Sequence, residues 1–94
     1  MTIGVPITLA LNASATGGSI TWPGGPGTFS AEATWGGGNV VLQTLTPYGT
    51  WMAVGADGTL LANGMIGFIL PANAQVRVAI TTATAVCAYV TPLT

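Results

Sequence analysis

Thr28-Phe29-Ser30-Ala31-Glu32-Ala33-Thr34-Trp35 alternates strictly, with Phe29, Ala31, Ala33 and Trp35 at one parity and Thr28, Ser30, Glu32 and Thr34 at the other. Successive side chains of an extended chain point to opposite faces, so this stretch predicts a strand with one face buried and one exposed. Gly36-Gly37-Gly38-Asn39 follows, and then Asn39 to Thr46 (NVVLQTLT) is a second β-type run. A short glycine-rich loop between two such runs predicts a hairpin.

Outward from this hairpin the same grammar repeats. Thr46-Pro47-Tyr48-Gly49-Thr50 predicts a turn, because proline presets φ and glycine supplies a left-handed conformation. Strands are expected over 50–54, 59–62 and 65–70, separated by turn signals at Asp57-Gly58 and Asn63-Gly64. After Pro71-Ala72-Asn73-Ala74 the residues Val76, Val78 and Ile80 share one face and Arg77, Ala79 and Thr81 the other, and 85–91 closes the chain. Towards the N-terminus, 5–13 and 19–22 suit two strands, and Trp22-Pro-Gly-Gly-Pro-Gly27 reads as a rigid turn. Eight or nine short strands without a helical pattern predict an all-β chain. The expected architecture is one antiparallel β-sandwich domain over 1–94, of plain two-sheet or jelly-roll type.

Charge narrows the function classes more than any motif does. Glu32, Asp57 and Arg77 are the only charged side chains among 94 residues, and there is no Lys and no His. An ordinary soluble domain gives about a quarter of its residues to charge. Net charge is −1 and mean hydropathy is +0.68, so little electrostatic repulsion opposes association and the apolar excess is expected to be covered in an assembly.

With no His or Lys to act as base, a Ser or Thr nucleophile is unsupported. One Cys and two carboxylates do not make a transition-metal site, and the Glu32/Asp57 pair is a poor candidate for glycosidase chemistry because Asp57 is explained by its turn. The glycine clusters lack the Lys-Ser/Thr ending of a phosphate loop. A single Arg gives nucleic acid nothing to bind. The N-terminus has no basic segment before an apolar run, and no run of about 18 apolar residues follows, so neither a signal peptide nor a membrane helix is expected. The chain is therefore read as non-enzymatic, with no cofactor, no metal, no catalytic residue, and no nucleic-acid or membrane partner. Cys87, alone and inside a strand-like run, is expected to be a small buried hydrophobe.

Interface candidates remain. Trp22, Trp35, Tyr48 and Trp51 fall at or beside strand ends, where a large ring can cap the core, stack on a sugar or anchor a neighbouring protein. Arg77 is either solvated or paired with Glu32 or Asp57, within one protomer or across an interface. Glu32 joins the candidates on that ground.

The stretches Trp22–Ser30 (WPGGPGTFS), Thr34–Gln43 (TWGGGNVVLQ), Thr46–Trp51 (TPYGTW) and Leu70–Val78 (LPANAQVRV) together resemble the small β-sandwich capsid decoration, or cement, proteins of tailed bacteriophages. The resemblance implies a non-catalytic virion protein, made in the host cytoplasm, that binds the outer face of the shell. Its partners would be the major capsid protein and its own copies, as a trimer in preference to a dimer. Two other classes stay open: a carbohydrate-binding module using the tryptophans, and a self-assembling coat or fibre subunit.

Overall fold

A computed structural model of the chain describes residues 6–55 and 58–93. Residue 5 of the first expected strand and Asp57 of the expected Asp57-Gly58 turn lie outside the described residues. Among the described residues there are nine strands and no helix: β1 Ile7–Ala13, β2 Ile20–Trp22, β3 Gly25–Thr34, β4 Asn39–Leu45, β5 Trp51–Ala53, β6 Thr59–Leu60, β7 Gly64–Leu70, β8 Ala74–Thr81 and β9 Thr84–Pro92.

The strands form two antiparallel sheets. The first has the order β1-β9-β3-β7, and the second runs β2-β8-β4-β5 with β6 also on β4. β5 and β6 share one side of β4, since Gln43 to Leu45 pair with β5 while Val40 and Val41 pair with β6. With the short β6 set aside, the pairs β1:β9, β2:β8, β3:β7 and β4:β5 are the rungs of one long antiparallel hairpin. Rolling that hairpin up adds the contacts β3:β9 and β4:β8 and yields the jelly roll. The sandwich expected from the sequence is present, in its jelly-roll form, but the hairpin expected between 28–35 and 39–46 is not. β3 pairs with β7 and β9, and β4 with β5, β6 and β8, so the glycine-rich loop after Trp35 crosses from one sheet to the other.

Alternation decides which side chains enter the space between the sheets. Phe29 and Ala31 of β3 lie opposite Val90 and Ala88 of β9, and Val40 and Leu42 of β4 lie opposite Ile80 and Val78 of β8. Phe29, Val40, Leu42, Val76, Val78, Val86 and Val90 are all fully buried. Each such side chain contributes about 1.5–3 kcal/mol relative to exposure.

The stretch read as a rigid turn, 22–27, differs from expectation. β3 begins at Gly25, so Gly-Pro-Gly at 25–27 is already paired with Leu70 to Phe68 of β7. The chain reverses at Gly24 and Gly25, whose φ values are 105° and 84°. Gly27 serves another end: a Cβ there would overlap the Cη2 and Cζ2 atoms of Trp22. The indole lies over the bare backbone of Gly27, donates from Nε1 to the Gly25 carbonyl at 3.2 Å, and meets Phe68 with ring centroids 4.8 Å apart.

Candidate functional site

The structure separates the aromatic residues into different roles. Trp22 is 0% exposed, so its place as an interface candidate is corrected: it closes the core, because Gly27 makes room for a ring that a strand-end position alone would leave outside. Trp35 is half-buried and is tied down by Asn63, whose Oδ1 accepts from Trp35 Nε1 at 2.9 Å and from the Ala33 amide at 3.2 Å. Its ring therefore clasps the loop before β7 to the end of β3. Trp35 precedes β4 and Tyr48 follows it, so these two rings sit at opposite ends of that strand.

Tyr48 stands apart with 94% of its surface exposed. Its loop is braced by Thr46. The Thr46 amide donates to the Thr50 carbonyl at 2.8 Å, the Gly49 amide donates to the Thr46 carbonyl at 3.0 Å, and Thr46 Oγ1 accepts from the amides of Tyr48 and Thr50 at 3.3 and 3.2 Å. A ring held on a fixed loop loses less conformational freedom on binding than one on a mobile loop. Beside it runs an open groove of about 440 Å³ walled by residues 44–47 and 70–75. Its wall carries no titratable side chain, so it offers shape and apolar surface rather than acid–base chemistry.

Trp51 and Arg77 come together on the outer face of the second sheet. The Arg77 guanidinium lies 4.3 Å from the centroid of the Trp51 ring, a cation–π contact, and its Nε donates to Gln43 Oε1 at 2.9 Å. Gln43 is its direct neighbour across the ladder, and Trp51 reaches it from the strand beyond, since β4 pairs Gln43 with Arg77 on one side and Leu45 with Trp51 on the other. Thr21 and Gln75 extend this polar face: Gln75 Nε2 donates to Thr21 Oγ1 at 2.9 Å, and Ser19 Oγ donates to Gln75 Oε1 at 3.3 Å. Glu32 is exposed on β3 in the first sheet, opposite Cys87. Arg77 and Glu32 therefore belong to different sheets, and the structure does not bring them together within the protomer. The expected partner Asp57 lies outside the described residues. Cys87 is half-buried on the same outer face as Glu32, not enclosed in the core as expected.

That outer face of the first sheet differs in chemistry. Ladder register places Met65, Ser30, Tyr89 and Thr8 in one row, and Ile69 beside Pro26 in another. Met65 is 61% and Ile69 77% exposed. Ser30 Oγ, covered by its neighbours, has no hydrogen-bond partner. Sequence reading overlooked Met65, Ile69 and Gln43. The exposed pair lies in an unbroken uncharged run, 65–70, whose sequence does not say which face is outward, whereas Gln43 acquires its role from a residue 34 positions away. Among the described residues, no group of three or more Cys, Asp or Glu side chains gathers where a metal ion could be held.

The chain matches no family model, and no curated protein matches it in sequence. In three dimensions it is similar to the crystal structure of SPBc2 prophage-derived protein YomS, with a TM-score of 0.68, 13% sequence identity and 97% of each chain covered. At that identity the likeness establishes a shared fold across the whole length of both chains. The class defined by fold and surface is thus a single jelly-roll module with a neutral groove, one braced exposed tyrosine and an edge strand, β7, that exposes Met65 and Ile69.

Proposed function

We propose that the chain is a bacteriophage virion protein of the capsid decoration type, binding the outer face of the shell and bracing neighbouring capsomers. The observation that carries this reading is the whole-length fold shared with a prophage-derived protein. The near absence of charge supports it, because a module whose surface is to be covered by neighbours has little use for solvated side chains. The partner is the major capsid protein, and Tyr48 with the groove of residues 44–47 and 70–75 is the surface that meets it. Many copies, each making a modest contact on a repeating lattice, give the shell its reinforcement through avidity.

The carbohydrate-binding alternative fits the tryptophans less well. Trp22 is enclosed, Trp35 is held to Asn63, and the Arg77 guanidinium covers one face of Trp51. Co-sedimentation with shells assembled from the accompanying major capsid protein tests the proposal. Tyr48→Ala is expected to weaken binding by at least about tenfold, since truncating a tyrosine that serves as an interface hot spot costs about 2 kcal/mol or more. Equal binding by the variant removes Tyr48 from the interface, and no binding by the unaltered protein overturns the function.

A further inference from the structure

Among the described residues the two sheets end in edge strands, and all but one of those edges are blunted. In the second sheet β2 and β5 have three residues each and β6 has two, too short to template another strand. In the first sheet β1 is broken by register shifts between Thr8 and Ala10 and between Ala10 and Ala13, and Asn12 sits at a φ of 52°. Such bulges turn an edge away from an incoming strand. β7 has none of these protections. It pairs with β3 through seven consecutive residues without a shift, and its sequence Gly64-Met-Ile-Gly-Phe-Ile-Leu70 contains no charge and no proline. On its open side, alternate residues turn unpaired N–H and C=O groups outward.

We propose that β7 pairs with β7 of a second copy of this chain, antiparallel about a twofold axis through Gly67, joining the two four-stranded sheets into one. The occupant is identified by self-complementarity. Reversing the strand about Gly67 sets Met65 against Ile69 of the second copy and Ile66 against Phe68. The parity of that register keeps outer side chains on the outer face and core-facing ones on the core face. Every opposed pair is apolar or glycine, and no like charges meet. Gly67 itself has space for the approach, since a Cβ there would touch only the Gly27 carbonyl oxygen, at 3.9 Å. Head-to-tail pairing of β7 with β1 is disfavoured by the bulges of β1, which leaves the isologous arrangement. The resulting unit is a dimer, in place of the three copies expected from the family resemblance, and it forms whether or not the protein binds a capsid.

Sedimentation velocity on the full chain at tens of micromolar tests this, with two matched variants. Ile69 and Leu11 are both 77% exposed, one on the straight edge and the other on the bulged edge. The unaltered protein and Leu11→Lys are expected to sediment as dimers and Ile69→Lys as a monomer, with an association constant at least a hundredfold lower. In a Cys87→Ser background, Gly67→Cys is expected to give a disulfide-linked dimer on mild oxidation, because directly opposed strand residues lie within disulfide reach. A monomeric unaltered protein, a trimer untouched by Ile69→Lys, or no cross-link through position 67 overturns the proposal.

Discussion

β1 and β7 bound the same sheet and have the same length, seven residues each, yet they face outward in opposite styles. β1 buries two consecutive residues, Leu9 and Ala10, where register shifts interrupt its alternation. β7 keeps its register throughout and leaves Met65 and Ile69 exposed. With almost no lysine or arginine to spare, the chain cannot guard its edges by charge. It guards one by irregular backbone and leaves the other regular, so the location of an open edge is itself informative.

Several substitutions test how far that contrast depends on the body of the sandwich. The largest effect is expected from Trp22→Ala, which empties the space over Gly27 and beside Phe68 next to the start of β3 and the end of β7. It should cost roughly 3–5 kcal/mol, read as a lower midpoint in urea unfolding. If stability is unchanged, the indole is not the closure of this end of the core. Asn12→Val is next. A β-branched residue at a φ of 52° is strained by about 1–2 kcal/mol, whereas Asn12→Gly should be nearly neutral. Thermal unfolding of the two side by side checks this, and equal melting temperatures would mean that β1 is straighter than described. The smallest effect belongs to Ser30→Ala. Its hydroxyl is buried without a partner, so removal should change stability by about 0.5 kcal/mol or less, or raise it. A loss above about 1.5 kcal/mol would reveal a hydrogen bond that the contrast between the edges does not include.

Much of the fold was legible because it follows from local alternation. The run 28–35 indicated a strand with its correct inward face, and Val76, Val78 and Ile80 did the same for β8, where the first two are buried and the third half-buried. What was not legible depends on contacts between distant positions. Gly-Pro-Gly at 25–27 looks like a turn by composition, and it is strand because β7 and β9 pair with it. Trp22 looks like an exposed strand-end ring until Gly27 is folded beneath it. Asn63 was a turn residue by sequence, yet its carbonyl oxygen serves partners 28 and 30 residues away. The bulges of β1 leave no mark in ITLALNA beyond an asparagine tolerant of positive φ. Of the candidate site, Tyr48 was identified from its turn, while the outward placing of Met65 and Ile69 had to await the ladder register that aligns Met65 with Ser30 and Ile69 with Pro26.

The central claim, that this jelly roll is a decoration protein of a phage shell, is tested most directly by cryo-electron microscopy of purified shells incubated with the protein. The expected map shows discrete β-sandwich density at symmetry-related positions on the outer surface, with the Tyr48 loop against the capsid lattice. A bare outer surface at saturating protein would contradict the account.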